Sequence, residues 1–318
     1  MKYFSQKFDR RLKESGLSHE QLDDRFPQLA EITRLSGGFS NANYRVQTGA
    51  RAAVLRIARD PAALAVEVAA LSRVRGQVPA PEVLDTGEDG ERSWALLSWV
   101  DGAPMDRVLE AGVSREEAAQ LGAACGRVLA AIHRVTFERP GFFDSALQVV
   151  EPLEPVGRGY LDHVRGTLAK SIPRARLGEA LALQVEALLD RRGGTLDALE
   201  RDRCLVHSDF NTKNLLVQRV DGRWTVSGVL DWEFAHAGPA LADVANFLRF
   251  EEEAPPPLAA RFREGYARAG GLLGDASIEQ MLLLDLASMA SFLDGPDRRP
   301  KTVATARGVI TRTVAQLG

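Results

Sequence analysis

The stretch from Cys204 to Trp232 constrains this chain more than any other part of its 318 residues. A short apolar strand, Cys204-Leu205-Val206, runs into His207-Ser208-Asp209 and then Phe210-Asn211-Thr212-Lys213-Asn214, giving the pattern HxDxxxxN. Two further strand-like runs, Leu215 to Val220 and Arg223 to Leu230, are joined by Asp221-Gly222, a dipeptide suited to the positive φ angles of a two-residue hairpin turn. A symmetric turn there predicts Asn214 opposite Val229 and Asp231 opposite Thr212. Two carboxylates, Asp209 and Asp231, and the Asn214 amide are then expected to converge at one end of the hairpin.

That convergence has chemical content. An Asp and an Asn projecting together supply the hard oxygen ligands that Mg²⁺ prefers, and a second Asp just outside the pair can orient a hydroxyl and accept its proton. The order base, amide, metal carboxylate suits phosphoryl transfer. Taken singly, each of the three also fits a turn or helix cap. Their combination around one hairpin is what points to a site.

Composition narrows the alternatives. The chain carries 40 Lys plus Arg against 43 Asp plus Glu, a formal charge of -3, and it is 45% hydrophobic. Those values fit an ordinary globular protein of about two domains and lack the basic footprint of a nucleic-acid binder. Cys125 and Cys204 have no partner at metal or redox spacing and read as buried free thiols of a reducing compartment. The first thirty residues hold no signal-peptide core, and the apolar run Ile278 to Leu293 is broken by Glu279 and Asp285. A cytoplasmic location without membrane contact is expected. Lysine is rare: six in all, with none between Lys13 and Lys170.

Along the chain, residues 3 to 25 have the spacing of two short helices, an N-terminal extension assigned to 1–30. Ile32 to Leu35, Tyr44 to Val46 and Ala53 to Ile57 then read as an antiparallel meander, with a turn at Gly37-Gly38 and a break at Thr48-Gly49. Pro61 opens a helix with Leu64, Val68, Leu71 and Val74 on one stripe. Strand signals return at Val83 to Asp85 and Trp94 to Val100, and Asp101-Gly102-Ala103-Pro104 ends them. Beyond that point the pattern is mostly helical: a capping box at Ser114 and Glu117 starts a helix to about Ile132, and amphipathic stretches follow at Gly159 to Lys170, Leu177 to Asp190, Leu258 to Ala269 and Ile278 to Leu293.

The segments HSDFNTKNLLV and VSGVLDWEFAHAGP, with Asp243 in LADVANFLRF, resemble the aminoglycoside phosphotransferase and choline kinase superfamily of bacterial phosphotransferases. The resemblance covers about residues 32 to 295 and is strongest over 204 to 247. It implies an α+β fold like that of protein kinases, in two lobes: a small antiparallel N-lobe sheet with one main helix (31–100, hinge 98–102) and a larger, mostly helical C-lobe with a catalytic hairpin (101–318). It also implies Asp209 as catalytic base, Asn214 and Asp231 as holders of Mg²⁺, and His207 and Asp243 as braces of the catalytic loop. Ser208 stands where such proteins usually have glycine.

For the first lobe the resemblance implies a small-residue turn over the phosphates, Ser36 to Asn41 with the Ser40 hydroxyl, and a cation on the next strand. Many relatives use lysine there, which this chain cannot supply; Arg56 takes the place, with Glu67 as its acidic partner on the following helix. A guanidinium keeps its charge and grips phosphate oxygens as a fork. The backbone of Ser98 and Val100 would receive the adenine edge. The implied activity is ATP- or GTP-dependent phosphorylation of a hydroxyl on a small molecule, either an antibiotic or a metabolite such as choline or an amino sugar, with no nucleic acid, no membrane and no oligomeric state implied.

Two other readings remain from the residues. A metallohydrolase would use His207, Asp209, Asp231 and His236 as ligands of a catalytic metal. A nucleotide-binding pseudokinase would share the fold without turnover. Asp231 is followed by Trp-Glu rather than Phe-Gly, against a protein kinase, and GxxxxGK[ST] is absent, against a P-loop kinase. For a polycationic acceptor the candidate acids are Asp162, Glu233, Glu251 to Glu253, Asp294 and Asp297.

Overall fold

A computed structural model of the chain describes residues 26, 29–35, 41–49, 51–58, 60–89, 92–295 and 300–318. Strands β1 (Ala30–Arg34), β2 (Asn41–Thr48) and β3 (Arg51–Ala58) make the expected meander, helix α1 (Pro61–Val74) crosses over, and β4 (Val83–Asp89) and β5 (Arg92–Ser98) complete an antiparallel sheet in the order β1-β2-β3-β5-β4. Period-two alternation sorts its faces. Tyr44, Val46, Ala53, Leu55 and Ile57 are buried with Phe26 and Leu29 on one side. Arg56, on the alternate register of β3, therefore points to the side that α1 covers. Asp60 caps α1 by accepting from the N–H groups of Ala62 and Ala63, with Pro61 in the first turn, where its missing N–H costs nothing. The two helices expected within residues 3–25, and the turn at 36–40 including Ser40, lie outside the described residues.

The chain leaves this sheet through Trp99 to Gly102 and is stitched at once to the second lobe. A two-residue strand β6 (Ala103–Pro104) pairs with the Asp221-Gly222 hairpin at Leu216 and Val217. Gly102 has φ +146, and a Cβ there would lie 2.4 Å from Ser227 Oγ, so only glycine fits this crossing. Helix α2 (Met105–Glu110) follows, then α3 (Arg115–His133), begun by the predicted capping box: Glu117 N–H donates to Ser114 Oγ and Ser114 N–H to Glu117 Oε2.

Strands β7 (Gly141–Phe143) and β8 (Val149–Pro152) and helices α4 (Val156–Leu168), α5 (Ser171–Leu177) and α6 (Glu179–Arg192) precede the chemistry-bearing unit: β9 (Cys204–Val206), β10 (Leu215–Val220), β11 (Arg223–Val229) and β12 (His236–Gly238). Helices α7 (Leu241–Leu248), α8 (Leu258–Arg268), α9 (Ser277–Leu293) and α10 (Pro300–Leu317) close the lobe. α3 and α8 cross at very short range, because a Cβ on Gly122 would lie 2.2 Å from the Leu258 carbonyl oxygen. α9 runs through the centre, with Leu283, Leu284, Leu286, Met289 and Leu293 nearly inaccessible. The result is the two-lobe, protein-kinase-like α+β fold that the sequence leads one to expect. Among the described residues no helix is long and apolar enough to cross a membrane.

The hairpin departs from the symmetric register. From the turn, Val220 pairs with Arg223 and Val217 with Val226 as expected, but Leu216 then pairs with Gly228 and Leu215 with Val229. Ser227 is the extra residue of a β-bulge, a device that bends a strand and re-aims the residues beyond it. Val229 thus faces Leu215 rather than Asn214, and it is the N–H of Leu230 that donates to the Asn214 carbonyl at 2.8 Å. The bulge sits where Gly102 presses on the hairpin and turns Asp231 one position further than a regular ladder would.

Candidate active site

The loop after β9 is held from behind by one buried carboxylate. Asp243, at the start of α7 and wholly inaccessible, accepts from the backbone N–H of His207 through Oδ2 at 2.7 Å and from that of Ser208 through Oδ1 at 2.8 Å. His133, at the end of α3, places Nε2 3.2 Å from Asp243 Oδ2 and Nδ1 2.8 Å from the Tyr266 hydroxyl. Burial works to push the Asp243 carboxyl up, yet the bonds from His133 and the backbone outweigh it and hold the carboxyl below its ordinary value.

His207 completes the brace with both ring nitrogens engaged. Its Nε2 faces the Leu230 carbonyl at 3.0 Å and so carries the proton, while Nδ1 accepts from the N–H of Asp209 at 3.2 Å. Burial drives its pKa down, against the pull of Asp243, Asp209 and Asp231, so the folded protein holds it neutral. The sign of the linkage follows: the contribution to stability is complete above the unfolded value of about 6.5 and is lost as pH falls through the lower folded value. Thermal midpoints followed from about pH 8 to about pH 5 are expected to drop, and the drop to be smaller in His207→Gln, which cannot take up the proton. Equal slopes in the two proteins would refute this.

Asp209 is partly accessible, and both of its carboxylate oxygens are aimed by amides: Asn211 Nδ2 donates to Oδ1 at 3.0 Å and Asn214 Nδ2 to Oδ2 at 2.8 Å. Asn214 therefore spends its donors on Asp209, and its Oδ1 takes no bond among the described residues. On the other side of the site, Asp231 (φ +68) accepts from Arg56 Nη1 through Oδ1 at 3.1 Å and keeps Oδ2 without a partner among the described residues. Two uncommitted hard oxygens, one carboxylate and one amide, fit the ligand preference of Mg²⁺.

Arg56 links the lobes. Its Nη1 donates to Glu67 Oε1 at 2.5 Å and also to Oε2, its Nε donates to Asn43 Oδ1 at 3.1 Å, and the bond to Asp231 crosses to the second lobe. Burial alone would lower its pKa; Glu67 and Asp231 more than reverse that, so the guanidinium stays charged. Burial pushes the Glu67 carboxyl up while Arg56 pulls it back. Ser98 ends β5, tied by its N–H to the Glu82 carbonyl and by its Oγ to the Glu82 N–H, both at 2.8 Å. Val100 lies two residues on, against Gly228 of the hairpin.

Sequence presents Glu233 only as one acid among several, yet it is 3% exposed and accepts from Asn41 Nδ2 at 3.3 Å, a second link from sheet to hairpin segment. Three of the other acids are paired with basic side chains. Asp162 lies by Arg165, Asp294 by Lys170 and Glu251 by Arg263, each an ion pair, and Asp297 lies outside the described residues. The geometry also bears on the hydrolase reading. Among the described residues no three His, Cys, Asp or Glu side chains are grouped to hold a metal, and both ring nitrogens of His207 and of His236 are already hydrogen-bonded.

Comparison with known proteins bears on family and fold. The sequence profile described as Phosphotransferase enzyme family matches residues 31–278. No curated protein sequence matches the chain. Among solved structures, aminoglycoside phosphotransferase APH(4)-Ia superposes with a TM-score of 0.73 at 18% identity, over 94% of this chain and 98% of that one. Aminoglycoside 2'-phosphotransferase-IIIa, solved with GDP, gives 0.70 at 16% identity over 93% and 96%. Spectinomycin phosphotransferase APH(9)-Ia, solved with ADP and spectinomycin, gives 0.57 at 14% over 93% and 98%.

Proposed function

The chain belongs to the phosphotransferase enzyme family, and from that premise we propose that it is a small-molecule kinase moving the γ-phosphate of ATP to an acceptor hydroxyl. The observation that carries the reading is the Asp209 carboxylate, fixed on both oxygens by Asn211 and Asn214, on a loop whose Asn214 carbonyl is bonded by Leu230, next in sequence to the Asp231 that pairs with Arg56 across the lobes. Residues 31–100 act as the nucleotide-binding lobe, residues 101–318 as the catalytic and acceptor lobe, and 98–102 as the hinge. The nucleotides in the related structures, AMP-PNP, ADP and GDP, support a purine nucleotide as donor.

Catalysis is then mainly positioning and charge compensation. The acceptor hydroxyl lies against Asp209, whose carboxylate aligns it and receives its proton as the new O–P bond forms and ADP leaves. Arg56, kept in place by Glu67, neutralises phosphate oxygens, a task that the resemblance also assigns to the hydroxyl of Ser40, which lies outside the described residues. The backbone of Ser98 and Val100 receives the base edge. Asn214 and Asp231 would hold Mg²⁺, which supplies neutralisation of the phosphate charge. His207 and Asp243 keep the loop rigid, so that Asp209 need not reorganise when the substrates arrive.

One observation favours a metabolite over a polycationic antibiotic as acceptor. Three of the acids available to bind ammonium groups are already paired with Arg165, Lys170 and Arg263. An ADP-release screen over aminoglycosides, macrolides, choline-like amines and sugars tests both levels. Release that depends on one acceptor and disappears in Asp209→Asn is expected, with amines of low charge and sugars ahead of aminoglycosides. Nucleotide binding without turnover over the whole set would overturn the kinase assignment in favour of a pseudokinase.

A further inference from the structure

Ser208 occupies a position that its backbone would rather give to glycine. Its φ of +69 lies in the left-handed region, where a Cβ crowds the following carbonyl and any side chain is strained. A serine survives there only if its side chain returns something. Its Oγ lies 2.8 Å from His236 Nδ1, and His236 Nε2 lies 3.0 Å from the Tyr160 hydroxyl. The chain of three runs from α4, through the first residue of β12, to the residue immediately before Asp209.

The direction of the bonds follows from the surroundings. His236 Nδ1 also faces the Phe234 carbonyl at 3.4 Å, which can only accept, so Nδ1 carries the proton and shares it between Phe234 and Ser208 Oγ. Nε2 is then an acceptor, and the Tyr160 hydroxyl, 3% exposed and kept a phenol by burial, donates to it. β12 sets the spacing, because its antiparallel pairing puts His236 opposite Val206, two residues before Ser208. His236 is itself packed against Phe142 of β7, with ring centroids 5.3 Å apart.

We propose that Tyr160, His236 and Ser208 form a positioning relay that fixes the Asp209 loop through the Ser208 side chain, while Asp243 holds the backbone N–H of the same residue. The Phe234 carbonyl fixes the tautomer of His236 and Tyr160, donating to Nε2, holds its ring; His236 holds the Ser208 hydroxyl; and Ser208, locked in a left-handed conformation, sets the direction in which Asp209 leaves the loop. All three act as positioning residues, through the loop that carries Asp209. The relay rests on the reading of Asp209 as the base, and it explains why a residue with a side chain occupies a backbone position made for glycine.

The test separates relay from filler through the sign of one substitution. Ser208→Gly relieves the backbone strain, so a serine that merely fills space predicts slower exchange, or no change, in the amides of residues 207–214 by hydrogen-exchange mass spectrometry. The relay predicts exchange faster by about tenfold in Ser208→Gly and in His236→Phe, with the double variant no worse than the worse single one, as expected for residues acting as one unit. Histidine ¹⁵N NMR supplies a second readout: His236 is expected as the Nδ1–H tautomer, and an Nε2–H tautomer would overturn the relay. ADP release from Mg-ATP with water as acceptor is expected to fall about tenfold or less in Ser208→Gly at unchanged nucleotide affinity. Unchanged exchange in Ser208→Gly, or additive effects in the double variant, would overturn the relay. Full turnover in Asp209→Asn would overturn the kinase reading instead, whatever the exchange shows.

Discussion

Asp209→Asn is expected to lower phosphotransfer about 10²- to 10⁴-fold while leaving the protein folded and its nucleotide affinity near the starting value. The size follows from what the group is asked to do. A carboxylate that aligns a hydroxyl and takes its proton has no substitute nearby: His207 is neutral with both ring nitrogens engaged, and Asp231 is turned toward Arg56. Asparagine keeps the shape, but one of its carboxamide positions becomes a donor set against the Nδ2 groups of Asn211 and Asn214, a local conflict of about 1 kcal/mol that the loop can absorb by rotation. Steady-state ADP release and a nucleotide titration on the same preparation separate the two quantities. A variant that loses both nucleotide binding and turnover would place Asp209 in the scaffold and not in the chemistry.

The parts of this molecule that sequence makes legible are those where a short local signal has one physical solution. Asp221-Gly222 fixes a hairpin because few other dipeptides reach its φ angles, and Ser114 with Glu117 fixes a helix start because the two side chains satisfy each other's backbone. Arg56 becomes identifiable only through the family resemblance, which asks for a cation at that place where the gap in lysine leaves the arginine; on β3, period two turns it to the side that α1 covers. The features that stay hidden depend on partners distant in the chain. The bulge at Ser227 has no local marker; it forms where Gly102, arriving from the other lobe, presses on the hairpin. β6 and β12 are two and three residues long, too short to show a period, and exist only through pairing with β10 and with β7 and β9. α10 is rich in Thr and Val, poor helix formers, and is decided by burial of Ala306, Val309, Ile310 and Thr313. In the sequence His236 stands out only as a candidate metal ligand, whereas its ring joins Tyr160 to Ser208, a role that the β12 to β9 pairing alone reveals.

The second large effect is expected at Arg56. Arg56→Met deletes the only cation bonded to Glu67 among the described residues, leaving a carboxylate 1% exposed next to Asp231. Breaking a buried pair from one side typically costs about 3–5 kcal/mol, because the remaining charge is stranded without water or counter-ion. Part of that cost is relieved by protonation of Glu67, whose carboxyl burial already pushes up, so the loss is expected to be smaller at acidic pH than at neutral pH. Arg56→Lys discriminates charge from geometry. Lysine keeps the charge but offers a single ammonium where the guanidinium bonds Asn43 through Nε and Glu67 and Asp231 through Nη1. Most of the stability is therefore expected to return with lysine, while the link to Asp231, and with it the alignment of the phosphates, does not. Urea unfolding and nucleotide affinity measured on both variants give the answer. If Arg56→Met unfolds at the same urea concentration as the parent, the pair is not the clamp between the lobes that its distances describe. If Arg56→Lys restores both quantities in full, a point charge suffices and the fork geometry has no part in binding phosphate.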